Sequence, residues 1–179
     1  SQLRQAWYPG ETISAGIGQG YMLMTPLQLA QAAMVIANKG TSFVPSLVHR
    51  VGDLTVGGVP RAPIAMAEED WQAVVAGMVD VVHSPQGTAA FISDNITYQM
   101  AGKTGTTQNN SDGWFMGHTP DLVTGVWVGA EDRGVHFSTT TLGQGANTAL
   151  PIWGYYMDRV YKDKKIKISH GDFKPPYEG

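Results

Sequence analysis

Four consecutive residues in this chain combine groups that can bind and polarise an anion. Lys103-Thr104-Gly105-Thr106 supplies a cation, two hydroxyls and a position without a side chain. If residues 99–107 form a β-strand, Thr104 and Thr106 share one face and the other two residues share the opposite face. A substrate backbone could lie along this edge as an added strand, while the hydroxyls and a backbone N–H hold a carboxylate or a developing oxyanion. A plain strand end that runs into a turn has the same residue types.

Two further strands are predicted after this one. Residues 114–118 and 122–129 are largely apolar and are separated by a short polar turn. The nearly continuous apolar run at 126–128 indicates that both faces of the third strand are covered. We therefore expect three antiparallel strands, followed by a loop over residues 134–145 and a final helix.

Three helices are predicted to flank the sheet. The first has Thr25 as its N-cap and Gln28 three residues later, a capping-box pattern, and ends at Gly40. It is apolar on more than one face, so we expect it to be buried on more than one side. The second starts at the acidic residues 68–70, which suit a helix N-terminus, and keeps helical apolar spacing through Val82. The residues of the final helix expected to face the sheet are Trp153, Tyr156, Met157 and Val160.

The segments before the candidate strand are predicted to play supporting roles. Residues 7–20 are rich in glycine and small residues, which is typical of a tight loop, and they lack the spacing of a dinucleotide-binding fingerprint. Residues 43–51 and 54–59 are predicted to form two short strands in an excursion away from the site.

Composition excludes several classes of function. The chain has 179 residues, of which 42% are hydrophobic and 15% charged, which is enough for one domain with a core. A net charge of -3 provides no basic surface for nucleic acid. No stretch approaches the roughly 18 apolar residues that a membrane span requires. The absence of cysteine excludes thiolate metal sites, and the five histidines have no i, i+4 pair, so neither a metal site nor a cofactor is expected.

Five stretches in order resemble the C-terminal half of the transpeptidase domain of penicillin-binding proteins. Lys-Thr-Gly is the third element of the Ser-x-x-Lys, Ser-Asp-Asn, Lys-Thr-Gly set found in serine acyl-transfer enzymes that react with β-lactams. Up to about Lys103 the sequence resembles class B, elongation-type proteins, whereas residues 112–161 resemble class A bifunctional proteins. The stretches that carry the resemblance are residues 16–20, 25–40, 87–89, 103–107 and 112–117.

The resemblance implies an α+β fold like that of serine β-lactamases and transpeptidases, an antiparallel sheet flanked by helices, with three strands here of an expected five. It implies a serine acyl-enzyme formed with the D-alanyl-D-alanine end of a peptidoglycan stem peptide, and acylation by β-lactam antibiotics. Lys103 and Thr106 would be catalytic, with the Thr106 N–H in the oxyanion hole. Thr104, Gly105 and Thr106 would bind the substrate.

The other two elements of the family's motif set are not expected within this chain. No serine is followed three residues later by lysine, so the nucleophile and its lysine base would precede residue 1. Ser93-Asp94-Asn95 spells the second motif, but only seven residues separate it from Lys103, whereas the family places that motif well before the Lys-Thr-Gly strand. We interpret it as part of a turn that leads into the strand.

These considerations predict a domain organisation and a location. Residues 1–161 would be the C-terminal part of a transpeptidase domain, and residues 162–179 a tail. The chain would be one piece of a cleaved or split domain, with the N-terminal part as a companion chain, or a fragment with an exposed sheet edge. The complete protein would lie outside the cytoplasm, anchored to the membrane by another segment. The alternatives are a fragment of a serine β-lactamase or β-lactam sensor, or a non-catalytic interaction module of the same fold.

Overall fold

The structure is a computed structural model that describes residues 7–173. Helices and strands alternate irregularly along the chain, with two short 3₁₀ helices at Ala90–Asn95 and Gln108–Asn110. The regular elements, in chain order, are α1 (Pro9–Gly16), α2 (Pro26–Ala37), β1 (Arg50–Val51), β2 (Leu54–Thr55), α3 (Glu68–His83), β3 (Ala101–Thr106), β4 (Asp112–His118), β5 (Val123–Gly129), α4 (Thr140–Gly143) and α5 (Ala149–Lys162).

The three predicted strands form one antiparallel sheet in the order β3-β4-β5. Gly105 lies opposite Trp114, which in turn lies opposite Trp127. In antiparallel strands, directly paired residues share a face, so these positions line one side of the sheet. Helices cover the sheet, and the predicted α+β class is confirmed.

The core lies between the sheet and α5. Phe115 of β4 and Trp153 of α5 are fully buried, with ring centroids 5.0 Å apart in an edge-on contact. The Trp153 indole N–H donates to the Thr124 carbonyl at 3.1 Å, which satisfies the polar atom of this buried ring. Trp153, Met157 and Val160 face inward as predicted. Tyr156 does not; it is half exposed, because the inward face follows the i, i+4, i+7 spacing of those three residues.

Helix α2 has the predicted N-terminus but not the predicted burial. The Thr25 hydroxyl accepts from the Gln28 N–H at 3.2 Å, and the Gln28 side chain accepts from the Thr25 N–H at 2.8 Å, which completes the capping box. Ala33 is its one buried side chain, and Leu27 is 61% exposed. The expectation that α2 is buried on more than one side is therefore wrong within residues 7–173, because the contacts with the sheet and with α3 bury only Ala33.

Helix α3 begins at Glu68 as predicted, and its acidic first turn has a structural role. Glu68 accepts hydrogen bonds from Lys39, just after α2, and from Gln72 within α3. These bonds hold the pKa of the Glu68 carboxyl below its usual value, the contact with Lys39 contributing most. Trp71 and Val82 are buried at the two ends of the helix.

Several loop and strand predictions differ from the structure. Residues 9–16 of the predicted glycine-rich loop form α1, because Pro9 occupies the first helical turn and the glycines with positive φ come after it, at Gly18 and Gly20. The two strands predicted over residues 43–59 are much shorter in the structure, because β1 and β2 have two residues each. Both are exposed, so packing stabilises them little. The predicted loop 134–145 contains α4, which the Thr139 hydroxyl caps.

The 3₁₀ helix at Ala90–Asn95 stands where a turn was predicted. No helix in the described part of the chain is both long and apolar enough to cross a membrane.

Candidate active site

The candidate strand forms one edge of the sheet and presents its residues to a groove. Lys103 is exposed, and the three residues after it are half-buried. Gly105 lies so close to Trp114 of β4 that an added Cβ would be 3.1 Å from the Trp114 Cβ. The missing side chain thus leaves the sheet face beside Trp114 open at this position.

Lys103 carries a charge that no carboxylate neutralises within residues 7–173. Its ammonium group donates to the carbonyl of Thr104 at 2.8 Å, so the side chain folds along its own strand. A lysine ammonium has three protons to donate, and this contact uses one of them. The group can therefore still bind an anion or a hydroxyl that lies beside the strand.

The two threonine hydroxyls of β3 each contact a group from another part of the chain. The Thr104 and Thr88 hydroxyl oxygens are 3.2 Å apart. The Thr106 hydroxyl accepts from the Gly145 N–H at 3.1 Å. Sequence reasoning assigned no role to Thr88 or Gly145, although residues 87–89 were among the stretches that carried the resemblance.

Asp112 closes the turn between β3 and β4 immediately beyond the candidate residues. Its carboxylate accepts from the Thr107 hydroxyl at 2.7 Å and from the Trp127 indole N–H at 2.9 Å. Thr107 also donates its backbone N–H to the Asp112 carbonyl at 3.1 Å. Two hydrogen bonds to a largely buried carboxylate are strong contacts, so they fix the end of β3 relative to β4 and β5. The sequence predicted only a polar turn at this point.

The groove beside β3 has a volume of about 1030 Å³. Residues 103–108 form one wall, with Trp114 and Trp127 next to them. The facing wall consists of α2 and the loop 17–20 that precedes it. An extended segment of several residues fits a space of this size, with a cation and hydroxyls on one side and apolar side chains on the other.

A family model described as the penicillin-binding protein transpeptidase domain matches residues 1–141. The chain belongs to this family. The chain also aligns with "Penicillin-binding protein 1A" of Aquifex aeolicus, with 35% identity over 159 residues, which is 83% of this chain and 21% of that protein. It aligns with "Peptidoglycan D,D-transpeptidase MrdA" of Acinetobacter baumannii at 42% identity over 113 residues, which is 60% of this chain and 16% of the relative.

Solved structures agree with this assignment. The chain superposes on the crystal structure of Pseudomonas aeruginosa PBP2 in complex with WCK 5153 with a TM-score of 0.75 and 33% identity. That match covers 97% of this chain and 37% of the PBP2 chain. The chain spans about a fifth of the length of the curated relatives named above.

Ser93 does not line the groove beside β3. The Ser93 hydroxyl donates to the Ala90 carbonyl at 2.7 Å, within its own 3₁₀ turn. The side chains of the next two residues lie outside what the structure describes. The local hydrogen bond of Ser93 agrees with the interpretation of Ser93-Asp94-Asn95 as a connection into the strand.

His118 lies at the opposite end of the sheet from Thr106. It is fully buried, and its ring meets Phe173 edge-on at 5.4 Å. Burial lowers the pKa of its imidazole to about 4. His118 is therefore a neutral core residue remote from the groove.

Proposed function

We propose that this chain supplies the Lys-Thr-Gly strand and part of the substrate groove of a peptidoglycan D,D-transpeptidase. The observation that carries the proposal is the unneutralised Lys103 ammonium beside two threonine hydroxyls on an open sheet edge, in a chain of the transpeptidase family. The substrate is the D-alanyl-D-alanine end of a stem peptide, and β-lactam antibiotics bind in its place.

The reaction proceeds through a serine ester. A serine from outside these 179 residues attacks the carbonyl of the penultimate D-alanine, and the amide bond to the terminal D-alanine breaks. The leaving amine takes up the proton that the serine hydroxyl gives up, and the acyl group remains on the serine as an ester. An amine of a neighbouring stem peptide then attacks the ester and forms the amide cross-link, and the proton that this amine loses restores the serine hydroxyl. A β-lactam forms the same ester by opening its ring.

The residues of β3 act on charge in this scheme. The Thr104 and Thr106 hydroxyls bind the terminal carboxylate, and the open edge at Gly105 admits the substrate backbone. The Thr106 N–H donates to the oxyanion that develops on the attacked carbonyl. Lys103 supplies positive potential and a hydrogen bond to a serine hydroxyl of the complete site. Removing one donor of an oxyanion hole typically slows acylation by on the order of 100- to 1000-fold.

The proposal also covers location and partners. Stem peptides are cross-linked outside the cytoplasm, so we place the complete protein there, held at the membrane by a segment other than those described. The companion of this chain is the remaining part of the domain, which carries the serine. By themselves the 179 residues bind the carboxylate end of a ligand but form no ester.

Fluorescent penicillin labelling tests the proposal. In the complete penicillin-binding protein, Lys103→Ala should lower the second-order acylation rate constant by about 100-fold or more. Lys165→Ala, which removes an exposed lysine after α5, is the matched control and should leave the rate unchanged. The 179-residue chain alone should show no covalent label.

Three outcomes would contradict the proposal. Unchanged acylation of Lys103→Ala would remove the role given to that residue. No labelling of the complete protein would favour a non-catalytic module, and hydrolysis of the acyl-enzyme within seconds would favour a β-lactamase.

A further inference from the structure

The hydrogen bond to Thr106 determines what its hydroxyl can offer a ligand. A threonine hydroxyl has one proton to donate and two lone pairs that accept. The Gly145 N–H can only donate, so the 3.1 Å contact uses a lone pair of Thr106 and leaves the hydroxyl proton free. In this arrangement Thr106 keeps a donor for a ligand, which is what a carboxylate requires.

Gly145 can approach this closely because it has no side chain. An added Cβ would lie 2.3 Å from the Trp114 carbonyl oxygen and 2.4 Å from that of Gly105, both of them backbone atoms that cannot move aside. The contact to Thr106 is therefore built into the backbone of the loop that leads into α5.

Thr104 has a corresponding partner in Thr88, which is held from both sides. An added Cβ at Gly87 would lie 2.3 Å from the Val81 carbonyl oxygen, so the loop lies directly against the end of α3. Ala89 is fully buried, and its N–H donates to the same Val81 oxygen at 2.9 Å. Thr88 itself is exposed between these two anchored positions, which suits a residue presented to a ligand.

Together the Thr88 and Thr104 hydroxyls carry two protons, and their mutual hydrogen bond uses only one of them. One proton lies in the 3.2 Å contact between Thr88 and Thr104, and the other is left to donate outward. When an anion accepts the Thr104 proton, the proton in the contact must come from Thr88. A hydroxyl that accepts one hydrogen bond donates a stronger one, so Thr88 polarises Thr104 toward the anion.

We propose that Thr88 is a positioning residue that commits the Thr104 hydroxyl to donate to the substrate carboxylate. The Gly145 N–H likewise occupies a lone pair of the Thr106 hydroxyl and leaves its proton to donate. Two hydroxyl protons from one strand face then point at a single anion. This inference rests on the proposed function, because it assumes that β3 binds the carboxylate of the stem peptide or β-lactam. In the Gly-Thr-Ala sequence at residues 87–89, the two outer residues anchor the loop, and Thr88 donates a hydrogen bond to the Thr104 hydroxyl.

The test compares a ligand that has the carboxylate with one that lacks its charge. Benzylpenicillin and its methyl ester differ only at that group. In the complete protein, Thr88→Val should lower the second-order acylation rate constant for the free acid by about 10-fold, since a hydrogen bond to a charged group is weakened. The loss for the ester should stay below about 2-fold by the same reasoning.

Matched variants separate this role from a structural one. Thr88→Ser keeps the hydroxyl and should restore the rate for the free acid to within about 2-fold of the wild type. Thr97→Val removes an exposed threonine hydroxyl from the connection between α3 and β3, and it should leave the acylation rate constant unchanged for both ligands. Because the carboxylate is bound before and during acylation, the Thr88→Val loss should appear in the dissociation constant of the initial complex rather than in the acylation step.

Equal losses for acid and ester in Thr88→Val, or no loss for either, would overturn the role of Thr88. Failure of the serine variant to rescue the free-acid rate would overturn it as well. These outcomes differ from failure of the proposed function, which would show in the wild type: a wild-type protein that reacts equally with acid and ester does not use β3 for a carboxylate.

Discussion

The two sides of the groove beside β3 are packed in opposite ways. The side that carries β3 rests on a dense core, whose largest fully buried side chains are Val82, Met100, Phe115, Leu150, Trp153 and Met157. The facing side, residues 7–66, buries little apolar surface. In that region Leu27 is 61% exposed and Leu47 is completely exposed.

This difference shows where the precision of the site comes from. Functional groups must be held within fractions of an ångström, and elements of a packed core do this better than exposed segments. The Thr104 and Thr106 contacts come from loops anchored on that core, through Ala89 and the start of α5. Many large apolar side chains of residues 7–66 are exposed, among them Trp7, Leu23 and Leu47. Exposed apolar surface that is clustered marks sites of interaction, and we propose that the serine-bearing part of the domain packs against that side.

The largest expected effect is on the core beneath the strand. Trp153→Ala should lower the free energy of unfolding by about 4 kcal/mol, because it removes a fully buried ring and leaves a cavity next to Phe115. Urea denaturation followed by circular dichroism measures it. Tyr155→Ala is the control on the same helix, since that ring is 76% exposed, and it should cost less than about 0.5 kcal/mol. A Trp153 loss below about 1 kcal/mol would contradict the packing described here.

Local patterns in the sequence were enough for the elements that hold the site. Apolar stretches separated by short polar turns predicted the strands, and the Thr25 to Gln28 spacing predicted a capping box that the structure contains. These signals are local because each depends on residues within one element or one turn. The Lys-Thr-Gly sequence could likewise be placed on a strand before its surroundings were known.

The partners of the site residues could not be predicted in this way. Thr88 and Thr104 are 16 positions apart, and Gly145 and Thr106 are 39 apart, so no local pattern connects them. The burial of α2 was overestimated for a related reason. An apolar face indicates that a helix packs against something, but it does not say whether the covering surface lies within the same stretch of chain.

A smaller effect is expected from acid, and it should come from the packed side. The buried His118 has its pKa lowered to about 4, against about 6.5 when the chain is unfolded. Between these values the unfolded chain binds the extra proton, so stability is complete above pH 6.5 and falls as the pH drops toward 4. The loss should reach about 3 kcal/mol at the lower end.

Urea denaturation at several pH values between 4 and 7 checks the acid effect. His118→Gln should remove most of the dependence of the free energy of unfolding on pH in that window. His49→Gln, which removes an exposed imidazole, is the matched control and should leave that dependence in place. A slope that persists unchanged in His118→Gln would show that another group is responsible.

The smallest expected effect is on the exposed side. Leu47→Ser changes a side chain that is completely exposed beside β1, so the free energy of unfolding should change by less than about 0.5 kcal/mol. If residues 7–66 are covered in the complete protein by the serine-bearing part of the domain, the same substitution should cost more there than in the 179-residue chain. Parallel denaturation of the two proteins measures the difference. Equal and negligible costs would show that the segment around Leu47 remains uncovered in the complete protein, and would contradict the proposal that the serine-bearing part packs there.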